Sequence, residues 1–276
     1  MTGVSGLSTL LGLKIADTTR DARVATIQSS AEHSRAIAGF SDRIAGIRSV
    51  EALLEDRELY VFVMKAFDLE DRIFGKAMIR KVLESDPAKP DSLVRKLTDP
   101  RFLELHKALG FGPGGVGNSS VSDKSWQQDI ISRYVERQFI DGQTNQNENV
   151  GNILEFRQKA PKIKNWFDVL KDPVMAQFMR TALGLPSESV RLDVDRQAAL
   201  FAKKFDLEKL GNPEERAKLE RMYAIITDAR DTSRISQNAA VQLMSGAVNA
   251  GAGGGQFVPT TIDITAIGSL PRRPYR

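Results

Sequence analysis

The chain has 276 residues, of which 41% are hydrophobic and 27% are charged, an ordinary balance for a globular protein. The formal net charge is only +4 and no cluster of lysine or arginine suited to phosphates is present, so we expect no nucleic-acid partner. Cysteine is absent, which excludes disulfides and thiolate chemistry. No apolar run reaches the ~20 residues of a membrane span, so we expect no membrane insertion.

The N-terminal segment does not resemble a Sec-type signal peptide. Met1 to Lys14 lacks a cationic start, a following apolar stretch and a small-residue cleavage motif. The segment is rich in serine and glycine, and we expect residues 1–16 to be disordered, which leaves a different export route open. A helical spacing of apolar residues follows and predicts one long amphipathic helix from Asp17 to Arg48.

Shorter helices are predicted next. Ser49 is a suitable N-cap for a short helix, and Glu58 to Phe67 is apolar enough to be a buried helix. Asp71 to Glu84 has an amphipathic pattern that ends before Asp86-Pro87.

Asp99-Pro100 predicts the start of another helix, because aspartate caps the free N–H groups and proline suits the first helical position. We expect this helix to end at Gly110 and a loop rich in glycine and serine to cover Phe111 to Ser122. The pattern then predicts a helix from Asp123 to Asp141, followed by a polar loop from Gly142 to Asn149.

Three further helices are predicted to end near Lys159, Lys171 and Leu183. An apolar stripe at Val190, Val194, Ala198, Phe201 and Phe205 predicts one more.

The C-terminal part begins with Asn212-Pro213, a strong start signal for a helix. A heptad stripe follows from Leu219 through Met222 and becomes small or polar after Ala229. Such a stripe is either a frayed end or a surface that binds a partner helix. Residues 246–276 are predicted to form a glycine-rich flexible tail.

The chain contains an internal repeat, which sets the predicted organisation. Ile47 to Leu69 aligns without gaps on Ile163 to Leu185, and Leu97 to Phe111 is a shorter third copy. Each unit has a capping aspartate, an apolar helix face and a tight turn. Either common helical hairpins are reused or a helical module is duplicated.

These patterns predict an all-α multi-helix bundle with two pseudo-repeated helical lobes and flexible termini. The first lobe is predicted to cover residues 17–117 and the second residues 118–245.

Few residues suggest chemistry. Gly112 to Gly117 satisfies G-x-G-x-x-G, but a dinucleotide fingerprint needs a preceding strand, and here we predict a preceding helix. A plain glycine-rich loop is therefore favoured. The two histidines, His33 and His106, lie on different predicted helices and are expected at the surface or half-buried.

The acidic and aromatic patterns also have structural explanations. Asp68 with Glu70, and Asp206 with Glu208, are expected at helix starts, where capping and the helix dipole explain them. Arg133-Tyr134-Val135-Glu136-Arg137 is expected to place its basic and aromatic residues on opposite faces of one helix, which fits core and solvent better than base stacking. We therefore predict no catalytic residue, no metal site, no cofactor and no enzymatic activity.

Several ordered motifs resemble a family of domains of unknown function that recurs in flagellar gene clusters of alphaproteobacteria. They cover most of the chain from Phe40 to Tyr223 and comprise Ile47-Arg48-Ser49, Asp56 to Leu69, Ile79 to Glu84, Leu97 to Phe111, Tyr134 to Phe139, Lys159-Ala160-Pro161, Leu170 to Pro186, Asp195 to Ala198 and Phe205-Asp206-Leu207. The resemblance carries no catalytic motif.

The resemblance implies a flagellar setting and not a mechanism, and the family it points to is non-enzymatic. In that setting we expect a structural or assembly protein that acts through protein–protein contacts in motility, located in the flagellum or the cytoplasm, with other flagellar proteins as partners. The Ser/Gly-rich N-terminus and the heptad helices near both ends fit this expectation, and the heptad helices predict self-association through terminal helices. The end segments, residues 1–48 and 213–276, are the expected partner-binding parts. The main alternative is a cytoplasmic chaperone or regulator of flagellar assembly. An enzyme with polar residues converging between the lobes ranks third, and a nucleic-acid binder fourth.

Overall fold

The computed structural model describes residues 8–118 and 120–231, and within them the fold is all-α, as predicted. Thirteen α-helices occur in these ranges: α1 (Thr9–Ser29), α2 (Ala31–Arg43), α3 (Val50–Glu55), α4 (Arg57–Ala66), α5 (Lys76–Leu83), α6 (Leu93–Lys96), α7 (Pro100–Leu109), α8 (Lys124–Gln146), α9 (Glu148–Lys159), α10 (Trp166–Lys171), α11 (Pro173–Ala182), α12 (Val194–Lys204) and α13 (Pro213–Arg230). Short 3₁₀ turns link them at Ile44–Gly46, Glu70–Arg72, Ser120–Ser122, Ala160–Lys162, Ser187–Arg191 and Leu207–Gly211.

The chain divides into two compact units, residues 1–228 and residues 229–276. Only residues 229–231 of the second unit are described, so the predicted tail from residue 246 lies outside the described residues. The boundary that we predicted between residues 117 and 118 stays a prediction.

Two clusters of buried apolar side chains form the core of the first unit. The first takes its members from α2 to α5, α6, α7 and the first half of α8. The second takes them from α1, the second half of α8, α9 to α12 and α13. Helix α8 therefore contributes buried apolar side chains to both clusters and connects them.

The helix caps predicted from the sequence are confirmed at most places. The Ser49 hydroxyl accepts from the Ala52 N–H at 3.2 Å, and the Asp99 carboxylate accepts from the Arg101 N–H at 3.0 Å. Gly110 ends α7 with a left-handed φ of 62°. The Asn212 side chain accepts from the Glu214 N–H at 2.8 Å, at the predicted start of α13. Caps are local interactions, which explains why the sequence predicts them well.

The predicted helix from Asp17 to Arg48 is wrong at its start and in its middle. Helix α1 begins at Thr9, so residues 9–16 are helical where we expected disorder, and residues 1–7 lie outside the described residues. The buried Thr9 donates its hydroxyl to the Asp228 carboxylate at 2.6 Å, a long-range contact that orders this end. Ser30, in an extended conformation with ψ of 145°, separates α1 from α2.

The predicted polar loop from Gly142 to Asn149 is also wrong. Helix α8 continues to Gln146, and Asn147 alone separates it from α9. The Asn147 side chain accepts from the Asn149 N–H at 3.1 Å, so this residue both ends one helix and caps the next.

The predicted stripe on α13 has the wrong orientation. Leu219 is buried as expected, but Met222 is 46% exposed, and the buried neighbours are Tyr223 and Ala224. The residues of the stripe beyond residue 231 lie outside the described residues. On α12, similarly, Ala198 and Phe201 are buried while Val194 is exposed.

The internal repeat extends further in the structure than in the sequence alignment. The same shift that relates Ile47 to Ile163 places α3 on α10 and α4 on α11 with identical ends, and α1 on α8 and α2 on α9 to within one residue. This agreement favours duplication of a helical module over reuse of common hairpins.

A stack of three aromatic rings lies at the centre of each copy. In the first cluster Phe62 stacks between Phe40 and Tyr134, with ring centroids 4.6 and 4.2 Å away. In the second, Phe178 stacks between Phe156 and Tyr223 at 4.1 and 4.5 Å. The phenylalanines of the two stacks occupy equivalent positions in the repeat. The tyrosine comes from α8 in the first stack and from α13 in the second.

Candidate functional site

The two histidines do not form a common site. His33 is half-buried, and its Nδ1 lies 2.8 Å from the Tyr134 hydroxyl. His106 is buried, contrary to expectation, and its Nε2 donates to the Ser85 carbonyl at 2.8 Å. Each ring therefore has a separate structural partner.

The glycine-rich loop packs against the start of α3. The Gly115 carbonyl accepts from the Val50 N–H at 2.8 Å, and the Gly117 N–H donates to the Arg48 carbonyl at 2.9 Å. A Cβ on Gly115 would lie 2.9 Å from the Val50 side chain, and its φ of 74° is left-handed. Helix α7 precedes the loop, as predicted, and these contacts give it a packing role.

The predicted position of Asp68 at a helix start is wrong. The residue does not start a helix but follows α4 in a left-handed conformation with φ of 58°, an unusual state for a residue with a side chain. Gly184 occupies the equivalent position in the second copy with φ of 62°. The aligned repeats therefore contained the signal, because they pair Asp68 with a glycine.

The carboxylate of Asp68 faces the cations that connect the two clusters. Its Oδ1 lies 3.4 Å from the Arg137 Nε, and its Oδ2 lies 3.6 Å from an Arg101 Nη. The Arg101 guanidinium also bonds to the Asp68 carbonyl and to the Asp99 carboxylate, the latter at 2.8 Å. An aspartate at this turn thus ties α7 and α8 to the end of α4.

Arg137 continues this chain of charges into the second cluster. Its guanidinium donates to Asp141 at 2.5 Å and to Glu155 at 2.7 Å, and its side chain is only 10% exposed. Lys159 then bridges Glu155 at 2.9 Å and Asp172, the N-cap of α11, at 2.7 Å. We call this set the junction network: Asp68, Asp99, Arg101, Arg137, Asp141, Glu155, Lys159 and Asp172.

Burial and pairing act in opposite directions on the carboxyl pKa values of the junction network. Burial raises the pKa of Asp68, and the opposing attraction of Arg137, Lys159 and Arg101 does not cancel it. Burial also acts to raise the pKa of Glu155, but Lys159 and Arg137 outweigh it and the pKa is lowered. The two acids therefore differ in how strongly folding favours their ionised forms.

A cleft of about 500 Å³ lies over this network. Two Asp-Pro helix starts, Asp99-Pro100 and Asp172-Pro173, line it together with Asp68, Arg101 and Lys159. Charged residues from α7, α9, α11 and the end of α4 therefore converge at this cleft.

The charges of the junction network are largely saturated by one another. Each of its cations has at least two carboxylate partners, an arrangement that fixes side chains in place. Within residues 8–118 and 120–231, no three histidine, aspartate or glutamate side chains are grouped to hold a metal ion. In the same ranges no helix has the length and apolar character that a membrane crossing requires.

Comparisons with known proteins agree with the fold. The model of a family described as "Protein of unknown function (DUF1217)" matches residues 66–215. The chain is also similar to a structural-genomics protein from Agrobacterium tumefaciens whose crystal structure is solved, with 28% identity and a TM-score of 0.72 over 81% of this chain and 94% of that one. No curated protein matches the sequence.

Proposed function

This chain belongs to the DUF1217 family of proteins of unknown function, and we propose that it is a non-enzymatic, flagellum-associated structural or assembly protein that acts through protein–protein contacts. The flagellar setting rests on the resemblance of its ordered motifs to a family found in flagellar gene clusters.

The ion pairs of the junction network support the non-enzymatic role, because each of its cations already has at least two carboxylate partners. A general acid or base must keep a proton site available to substrate, whereas Arg137 and Glu155 are bonded to each other at 2.7 Å and are each 10% exposed. Such a network holds the helices of the two core clusters in a fixed arrangement. A fixed arrangement suits a protein that binds other proteins through its surface.

Exposed apolar side chains support a role in protein contacts. Phe74 is 98% exposed at the turn before α5, and Val190 and Val194 are 56% and 53% exposed before and at the start of α12. The Gln197 side chain donates to the Leu192 carbonyl at 2.8 Å and holds the segment between these valines in place. Val190, Leu192 and Val194 are all exposed within five positions of a segment whose backbone is held in place, so they offer apolar surface that a partner can cover.

The terminal segments contribute to the core and are not only contact surfaces. Phe40 and Ile44 of the N-terminal segment, and Leu219 and Tyr223 of α13, are buried in the clusters. Deleting residues 1–48 or 213–276 would therefore remove core side chains together with any contact surface. Self-association through the terminal helices would have to use their exposed faces, which include Leu11 and Ile225.

The test is to purify hook–basal bodies from cells and to probe them for this protein. Co-purification that disappears in a strain without flagella supports a structural or axial component. Confinement to the cytosol, with a flagellar protein captured as a client, would replace the proposal by the alternative of a cytoplasmic chaperone or regulator of assembly.

A further inference from the structure

A second groove, of about 400 Å³, lies beside the junction network between α6–α7 and α10–α11. We call it the α7–α10 groove. The side chains that matter for its chemistry are Arg95, Leu97, Leu103, Lys162, Ile163 and Lys171.

The floor of the α7–α10 groove is apolar. Leu97, Leu103 and Ile163 line it while each remains half-buried, and the buried Met175 closes it from below. Leu97 and Leu103 pack on the first cluster and Ile163 packs on the second, so the floor spans both halves of the core. The floor consequently offers apolar surface that further burial would remove from water.

The rim of the groove is basic. Five basic and three acidic side chains line the groove, and two of the basic ones, Arg101 and Lys159, already belong to the junction network. The other three are Arg95, Lys162 and Lys171, of which Lys162 and Lys171 face two of the acidic residues of the groove, Glu104 and Asp168.

These three basic side chains at the rim form few or weak ion pairs within the described residues. Arg95 is exposed and forms no ion pair with the described residues. Lys171 is 46% exposed and lies 3.7 Å from Asp168. Lys162 is 60% exposed and shares Glu104 with Arg133. Exposed pairs of this kind contribute little to stability, so a ligand can exchange them readily.

We propose that the α7–α10 groove binds an acidic amphipathic helix of a partner protein, with the apolar face of that helix on Leu97, Leu103 and Ile163 and its carboxylates against Arg95, Lys162 and Lys171. An amphipathic helix laid in an apolar groove is a common recognition mode, and the basic rim selects acidic flanks. The inference rests on the protein-contact part of the proposed function and names the surface and the chemistry of the partner.

The test measures binding of a fluorescein-labelled peptide to the full chain by fluorescence anisotropy. The probe has about 14 residues, with leucines at i, i+3, i+4 and i+7 and glutamates and alanines elsewhere. A scrambled peptide of the same composition removes the apolar face, and a version with lysines in place of glutamates reverses the charge.

The groove variant is Arg95→Glu with Lys171→Glu, and the matched control is Lys14→Glu with Lys81→Glu, which makes the same charge change at exposed positions outside the groove. We expect saturable binding of the acidic amphipathic peptide, a loss of about tenfold or more in affinity for the groove variant, and a change within about twofold for the control. Circular dichroism of both variants checks that they remain folded.

Three results would overturn the proposal: equal binding of the scrambled or basic peptide, unchanged affinity of the groove variant, or binding of anionic lipid vesicles but not of the peptide. Because this assay uses purified protein, its result does not depend on whether the protein is associated with the flagellum. Peptide binding without co-purification with hook–basal bodies would refute only the role as a structural part of the flagellum.

Discussion

Replacing Arg137 with methionine tests whether the junction network holds the two core clusters together. The guanidinium bonds to Asp141 and Glu155 at 2.5 and 2.7 Å and lies 3.4 Å from Asp68. The variant leaves three carboxylates around an apolar side chain, with Lys159 as the remaining cation near Glu155. Removal of one partner from a buried ion pair costs about 3–5 kcal/mol, and we expect about 3 kcal/mol here because Lys159 remains.

The matched control is Arg133→Met, one turn earlier on α8. The Arg133 side chain is 37% exposed, and its partner Glu104 keeps a second bond from Lys162 at 2.9 Å. This variant should lose at most about 1 kcal/mol. The free energy of unfolding of both variants is to be measured by urea denaturation at pH 7.

The pH dependence supplies a second check. The folded pKa of Glu155 is lowered, since Lys159 and Arg137 together outweigh the effect of burial. Its ionisation therefore contributes stability above the unfolded pKa, and this contribution is lost as the pH falls through the lowered folded pKa. The difference between wild type and Arg137→Met should consequently shrink as the pH falls below the ordinary carboxyl pKa and through the lowered folded pKa of Glu155. Equal losses for Arg137→Met and Arg133→Met at pH 7 would refute the reasoning.

Two other predictions follow from single positions. Burial raises the folded pKa of Asp68 despite the nearby cations, so its protonated form is favoured by folding and stability is lost as the pH rises through that pKa. Asp68→Asn, which keeps a side chain tolerant of the left-handed conformation, should therefore be as stable as wild type at pH 7 or more so; a loss above about 1 kcal/mol in urea denaturation contradicts this. Gly142 and Gly151 form a second matched pair: a Cβ on Gly142 meets nothing within 4 Å, whereas one on Gly151 would lie 2.0 Å from a side-chain atom and 2.8 Å from the backbone of α8. Gly142→Ala should raise the melting temperature because alanine favours the helix by about 1 kcal/mol, and Gly151→Ala should lower it; similar shifts in calorimetry would show that α8 and α9 are not closely packed there.

Local signals in the sequence determined much of this fold. Capping residues such as Ser49, Asp99 and Asn212 satisfy N–H groups two or three positions away, so their role follows from near neighbours alone. Apolar spacing and the repeat also predicted the all-α class and most helix ends. Where the preferred local structure agrees with the tertiary contacts, the sequence is sufficient.

The tertiary structure decided the features that depend on distant residues. The Ser8 hydroxyl, which accepts from the Leu11 N–H at 3.3 Å, is a local cap that the sequence interpretation missed at the start of residues 9–16. The bond of the buried Thr9 to Asp228, more than 200 positions away, holds this end against the fold, and no local pattern contains that contact. The orientation of α13 is set by Tyr223, which completes an aromatic stack that α9 and α11 begin.

The junction network likewise depends on contacts between residues that are distant in the sequence. The identities of Asp68, Arg137 and Glu155 are visible in the sequence, but Asp68 looks like a residue at a helix start, and Arg137 and Glu155 look like ordinary surface charges on their helices. Only the packing of α4, α8 and α9 brings their charged groups together and removes water from them. Desolvation raises the pKa of Asp68, whereas the attraction of Lys159 and Arg137 outweighs desolvation at Glu155 and lowers its pKa. The sequence by itself determines which residues can ionise, whereas the tertiary structure determines which ionised groups meet.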